Sequence, residues 1–265
     1  MKNKTFNDND VRRAWNEVSA EMNEFIESGG DYYRDELHGP ALLDACGDVN
    51  GLDVLDIGCG QGHFSRQLAN RGARVTAVDI SEKQLEIALA HETDQHLGID
   101  YRNLSSTEIH NEFIESRFDL ITSCMSLHDM ADPSAALISS NRVLRTRGQM
   151  IISMPHPFTT TPYREWELSE DGEKLSLKVD KYFDSGPTYV RWSMLKLTEP
   201  WESPYTRLTL SEWADCIYRA DFLIALIYEP RPTLDQINRV KELDEAYRLP
   251  GFLIFSLIKA DEPYA

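Results

Sequence analysis

The stretch Val54-Leu55-Asp56-Ile57-Gly58-Cys59-Gly60-Gln61-Gly62 constrains this chain more than any other. An apolar run of strand character leads straight into three glycines at alternate positions, and a helix-like run opens at His63. Glycine reaches positive φ without steric cost, so the backbone can turn sharply there and a ligand can lie against main-chain atoms. The N-terminus of the following helix offers unpaired N–H groups. A second apolar run, 74–78, ends at Asp79, nineteen residues beyond Gly60. In a doubly wound sheet these two strand tips are neighbours. A carboxylate on the second then reaches both hydroxyls of a ribose lying across the first loop.

From residue 52 onward strand-like and helix-like runs alternate. Strands are expected at 54–57, 74–78, 99–104, 118–123 and 149–154, with helices at about 62–71, 81–93, 106–114 and 133–145. Ser81 with Gln84 matches a capping box, and Asp132-Pro133 pairs a cap residue with a proline suited to a first helical turn. Further along, a helix near 209–219, a strand at 222–228, a polar helix at about 233–246 and a strand at 251–259 bring the expected sheet to seven strands. Pro250-Gly251 points to an antiparallel final pair. The predicted class is α/β, a doubly wound and mostly parallel sheet with helices on both faces. Ahead of the sheet, Val11, Trp15, Val18, Met22 and Ile26 recur at helical spacing over 8–27, Gly29-Gly30 stops that helix, and a shorter one follows at 40–46. Residues 155–207 lose the alternation but hold nine aromatics, among them Trp166, Trp192, Trp201 and Tyr205. That density predicts an inserted aromatic-rich cap over the end of the sheet rather than a linker. The expected organisation is an N-terminal helical lid over 1–50 and a main domain over 51–265, with the cap inserted at about 155–207.

A dinucleotide fingerprint reads Gly-x-Gly-x-x-Gly; here its third glycine is replaced by His63 and the spacing is Gly-x-Gly-x-Gly. Residues 54–65 resemble the first motif of the class I S-adenosylmethionine (SAM)-dependent methyltransferases, in the small-molecule branch. Val75-Thr76-Ala77-Val78-Asp79-Ile80-Ser81 is similar to the second motif, whose acid holds the ribose. Phe118-Asp119-Leu120-Ile121-Thr122-Ser123 with Leu127-His128-Asp129, and Arg145-Thr146-Arg147-Gly148-Gln149, resemble the fourth-strand motif and the turn into the fifth strand. Gly30-Asp31-Tyr32-Tyr33-Arg34 resembles an entrance segment of one branch. The resemblance implies a Rossmann-like methyltransferase fold, SAM as cofactor, and cofactor contacts from Asp56, Gly58, Cys59, Gly60, Asp79, Ile80, Ser105, Ser106 and Cys124. Tyr33 and Arg34 are candidates for the cofactor carboxylate, with a surface ion pair as the alternative for Arg34. Where the family shows an acid followed by a small residue near the adenine, this chain has Ser105-Ser106. Asp56 is expected to orient the loop or help hold the cofactor's ammonium. Cys59 reads as a small filler between glycines rather than a nucleophile.

His128 and His156 follow the fourth and fifth strands, at the edge where such a sheet opens onto its substrate. Either can serve as a base or orient an acceptor; the alternative for His128 is a loop histidine paired with Asp129 or backbone. The aromatics of 155–207 are read as cap core or substrate cage. The expected activity is methyl transfer to a small molecule, with the acceptor atom open. A nicotinamide oxidoreductase on a related sheet and a nucleotide-binding regulatory module remain as alternatives. The chain carries 27 basic against 44 acidic residues, a net charge of −17. Nucleic-acid affinity needs cations to neutralise phosphates, so DNA and RNA are not expected partners, and anionic membranes are disfavoured likewise. The longest apolar run, 222–228, falls well short of the about 20 residues of a membrane span. The polar start argues against an export signal. Four cysteines far apart, Cys46, Cys59, Cys124 and Cys216, without a Cys-x-x-Cys, argue against a disulfide frame and a metal site and suit the cytoplasm.

Overall fold

The computed structural model describes residues 5–191 and 201–261. Asn7 starts the first helix. Its side chain accepts the N–H groups of Asn9 and Asp10, and the Asp10 carboxylate accepts the N–H of Asn7, a complete capping box. Helix α1 (Asp8–Glu27) buries Val11, Ala14, Val18 and Met22, and ends before Gly29 at φ +73°. A π-helical turn, Arg34–His38, runs into α2 (Gly39–Cys46). Gly39 permits that junction: a Cβ there would sit 2.3 Å from the Arg34 carbonyl oxygen.

The main domain follows as β1 (Asp53–Ile57), α3 (His63–Asn70), β2 (Arg74–Asp79), α4 (Glu82–Gln95), β3 (Asp100–Asn103), α5 (Ile109–Glu112), β4 (Phe118–Cys124), α6 (Pro133–Val143) and β5 (Leu144–Pro155). Two hairpins come next, β6 (Tyr163–Leu168) with β7 (Lys174–Asp180), and β8 (Gly186–Arg191) with β9 (Glu202–Arg207). The chain closes with α7 (Leu210–Arg219), β10 (Phe222–Tyr228), α8 (Leu234–Arg239), α9 (Asp244–Arg248) and β11 (Phe252–Lys259). The seven-stranded sheet runs β10-β11-β5-β4-β1-β2-β3, with β11 antiparallel to both neighbours and the other pairs parallel. The Rossmann-like expectation and the antiparallel final pair are both met. Both faces are covered: Leu55 and Ile57 of β1 pack with α6 and α7, while Val54 packs with α2 and α3.

Several boundaries differ from expectation. The helix expected at 106–114 shrinks to Ile109–Glu112 because Ser105 Oγ bonds to Thr107 and to the Asp8 carboxylate, holding the preceding turn out of helix. The strand expected from 149 begins at Leu144, running through an irregularity at Arg147 (φ +59°) and Gly148, while Arg145 pairs with Asp53 and Asp119. The polar helix expected at 233–246 is broken at Val240, in extended conformation, because Leu243 turns in to pack fully buried beside Leu37. Ser81 Oγ accepts the Gln84 N–H, but the Ser81 N–H goes to Asp79 Oδ1 instead of the Gln84 side chain, so the capping box is only half formed.

In the stretch 155–207, β9 lies against α1 and against the 3-10 turn Leu127–Asp129: Trp201 Nε1, just before it, donates to the Ala14 carbonyl at 3.1 Å, and the Tyr205 and His128 rings are 5.1 Å apart. Trp201 and Tyr205 are buried, Trp201 against Ala14, Val18 and Met22 of α1, whereas Phe183 is exposed. Trp192 lies outside the described residues.

Candidate active site

β1 delivers the glycine loop, and three positive φ values carry it: +64° at Gly58, +54° at Gly60 and +77° at Gly62. A Cβ on Gly58 would meet Ser126 Cβ at 2.5 Å, so the loop rests directly on the chain that leaves β4. The Gly58 and Cys59 N–H groups bond the Val78 carbonyl at 2.8 and 3.1 Å. Asp79 fastens the other side. Its Oδ2 accepts the Gly60 N–H and its Oδ1 the Ser81 N–H, each at 2.8 Å. Burial raises the Asp79 carboxyl above the usual carboxylate range, while these N–H groups pull it back. An ionised carboxylate offers about four acceptor sites, which leaves capacity towards the cavity.

Behind the loop, Asp56 is buried and accepts the hydroxyls of Ser65 at 2.6 Å and Thr122 at 2.8 Å; burial lifts its pKa to about 6. Together these bonds fix the loop from beneath and from the side. His63, in the first turn of α3, contacts Gln67 at 2.7 Å, and burial followed by the charge of Arg34 lowers its pKa to about 4.

One cavity gathers Asp56, Gly58, Cys59, Gly60, Asp79 and Ile80 with Ser105, Ser106 and Cys124, and with Tyr33 and Arg34 of the N-terminal segment. Burial lifts the Cys124 thiol to about 12, so it is not a thiolate near neutrality. α1 roofs the cavity with Val11, Trp15 and Met22. Arg34 pairs with Asp35 through Nε and Nη2, while its buried Nη1 has no hydrogen-bond partner. Ser105 donates to Asp8 at 2.6 Å, which ties the start of α1 to the end of β3, and Ser106 Oγ lies 2.9 Å from the Met130 sulfur.

His128 and His156 do not line this cavity. His156 Nδ1 accepts the Phe158 N–H at 3.1 Å, which leaves the ring proton on Nε2 to be donated to Glu229 at 3.0 Å. His128 is buried beneath Tyr205, its Nδ1 lacks a partner, and its pKa is driven down to about 3 by burial. Among the described residues, none of the aromatics in 155–207 faces the cavity either. The polar side chains that line it and that sequence reasoning did not place in the site include His38 and Asp129. Asp129 directly follows His128 in the chain. His38 carried no sequence signal, since its placement depends on the π-helical turn.

Residues 55–152 match the family described as "Methyltransferase domain". The chain is 32% identical over 111 residues to the "Ubiquinone biosynthesis O-methyltransferase" of Pseudomonas aeruginosa (strain UCBPP-PA14), covering 42% of this chain and 47% of that protein. It is 35% identical over 111 residues to the protein of the same description from Dechloromonas aromatica (strain RCB). It thus spans about half the length of the curated relatives it matches. Among solved structures, an S-adenosylmethionine-dependent methyltransferase from Mesorhizobium loti superposes with a TM-score of 0.70 at 29% identity, over 83% of this chain and 96% of that one. The Burkholderia thailandensis 1,6-didemethyltoxoflavin-N1-methyltransferase, bound to S-adenosylhomocysteine, shares the fold at 18% identity and a TM-score of 0.54, over 92% of this chain and 88% of that one. With the glycine loop tied to Asp79 in a seven-stranded Rossmann-like sheet, residues 55–152 are a methyltransferase domain, and the chain has the fold of the S-adenosylmethionine-dependent methyltransferases.

Proposed function

We propose that this chain transfers the methyl group of S-adenosylmethionine to a small-molecule acceptor. The observation that carries the reading is a single roofed cavity joining the glycine loop, Asp79 and an orphaned Arg34 Nη1. The residues fit the cofactor part by part. Asp79 has acceptor capacity for the ribose hydroxyls. The free Nη1 of Arg34 suits the cofactor carboxylate, and the backbone of Gly58–Gly60 allows close approach. When bound, the cofactor supplies an already activated sulfonium methyl. The protein has to hold a nucleophile in line and exclude water, and positioning of this kind contributes roughly 7–11 kcal/mol. The α1 roof supports water exclusion.

The similarity to the O-methyltransferases covers 42% of this chain, so the acceptor atom is left to the residues of the cavity. A net charge of −17 supports a small acceptor rather than a nucleic acid. No helix among the described residues is long and apolar enough to cross a membrane, and the cysteine spacing supports a cytoplasmic setting. Isothermal calorimetry tests the reading. S-adenosylmethionine and S-adenosylhomocysteine bind at micromolar Kd or tighter, and NAD(H) much more weakly, because His63 stands where a dinucleotide fold needs glycine. NAD(H) binding as tight as S-adenosylhomocysteine would transfer the assignment to an oxidoreductase. Cofactor binding without methyl transfer to any of a broad panel of metabolites would favour a regulatory module.

A further inference from the structure

The cavity contains a buried carboxyl with nothing to bond. Asp129 is 4% exposed, and neither of its oxygens has a hydrogen-bond partner. His128 Nε2 stands 3.7 Å from Oδ1, too far for a hydrogen bond, and burial keeps that imidazole neutral. His38 is 3% exposed, and its Nδ1 is likewise without a partner. Buried polar groups in folded proteins are almost always bonded, so these two, which share the cavity with the orphaned Arg34 Nη1 and Gln61 amide, call for an explanation.

Packing holds both in place rather than leaving them free to rotate away. Leu127, fully buried in the core, anchors the 3-10 turn that carries Asp129. The neighbouring Leu37 packs on Leu243 and Ala246, and the His38 ring lies 4.7 Å from that of Phe252. His38 and Asp129 both line the one cavity. The Asp129 turn adjoins the glycine loop, since Gly58 abuts Ser126 and Met130 on either side of the turn. Phe252, in ring contact with His38, lines the cavity, whose apolar walls also include Met22 and Phe25.

We propose that Asp129 and His38 form the acceptor subsite, receiving the N–H or O–H of a largely apolar methyl acceptor that carries a hydroxyl or an amine. Burial raises the Asp129 carboxyl well above its ordinary range, so in the free site it holds its proton; its carbonyl oxygen still accepts a hydrogen bond, as does a neutral imidazole nitrogen without a proton. Burial keeps His38 neutral, with its pKa lowered to about 3, so it does not compete with the acceptor as a cation. The assignment rests on the methyltransferase reading of the same cavity.

The test uses purified full chain loaded with S-adenosylhomocysteine, and Asp129→Leu and His38→Phe variants. The probes are phenol and aniline against anisole and N,N-dimethylaniline, with binding followed by ligand-observed NMR. Phenol or aniline is expected to bind wild type several-fold tighter than its capped partner, and each substitution, which leaves no acceptor at its position, to remove most of that preference, as loss of a buried hydrogen bond does. Phenol and aniline as separate arms decide between hydroxyl and amine. Asp129→Leu is expected to melt at or above the wild-type Tm without ligand, because a buried carboxyl with no partner gives the fold nothing. Absence of donor preference in wild type, its persistence in both variants, or a clearly lower Tm for Asp129→Leu would each overturn the proposal. S-adenosylhomocysteine titration of the wild type is the separate control: if it fails, the methyltransferase reading fails, whatever the probes do.

Discussion

Replacing Asp79 with alanine separates the two tasks that the geometry gives it. In the free protein it holds the Gly60 and Ser81 N–H groups at 2.8 Å each; in the complex it is proposed to take the ribose hydroxyls as well. Hydrogen bonds to a charged group contribute about 1.5–3 kcal/mol, which converts to a roughly tenfold to hundredfold weaker Kd for S-adenosylhomocysteine. The two loop N–H groups lose their partner at the same time, a cost of about 1–3 kcal/mol. Burial already holds the Asp79 carboxyl above its ordinary range, so relief of desolvation returns part of that cost. At about 2–4 °C per kcal/mol for a chain of this size, Tm should fall by no more than roughly 10 °C. Calorimetry at a temperature where the variant is folded gives the affinity. Asp79→Asn keeps one oxygen and holds only one of the two N–H groups, so it should fall between wild type and alanine. A 2′-deoxyribose analogue of S-adenosylhomocysteine should lose affinity for the wild type and lose little for Asp79→Ala. A folded Asp79→Ala protein that binds S-adenosylhomocysteine within twofold of wild type would refute the ribose assignment.

Other consequences are equally direct. Gly58→Ala forces a side chain into the left-handed region, about 1–2 kcal/mol, and against Ser126 Cβ, about 1–3 kcal/mol more; chemical denaturation should show a loss of about 2–5 kcal/mol together with weakened cofactor binding. The buried His128 is lowered to about 3 from an ordinary 6.5, so the native state binds fewer protons than the unfolded one and stability is lost as pH falls below about 6.5. His128→Phe should therefore flatten the acid limb of a stability–pH curve by up to about 1.4 kcal/mol per pH unit between about 6 and 4, and a curve parallel to wild type would contradict the burial argument. Asp56, raised to about 6, has the opposite sign: its contribution falls as pH rises from about 4 to 6, so Asp56→Asn should steepen the acid limb. Hydrogen exchange in α1 and in 32–38 should slow when S-adenosylhomocysteine binds, with little change in the β6–β7 hairpin; equal slowing of both would mean that the hairpin closes on the site.

Local patterning was enough to read the fold. Strand β1, the alternate glycines, the start of α3 and the 19-residue step from Gly60 to Asp79 are set by short-range chemistry, namely apolar alternation, φ preference and capping. The antiparallel closing strand was legible from Pro250-Gly251 for the same reason. Element ends were less so. The break at Val240 and the early start of β5 depend on Leu243 finding Leu37 and on Arg145 finding Asp53 and Asp119, partners remote in sequence. The proposed acceptor subsite was the least legible. Sequence position put His128 and His156 at the open edge of the sheet, but a strand tip does not specify which way the next side chain turns. Tyr205 covers His128, and the Phe158 N–H with Glu229 engages His156. Asp129 and His38 face the cavity instead, because burial of Leu127 and Leu37 fixes the turns that carry them. Thus the sequence by itself determined the sheet, the glycine loop and the acid beside it, all consequences of neighbours along the chain. Only the tertiary structure decided which polar groups line the cavity, because that depends on the packing of segments up to about 200 residues apart.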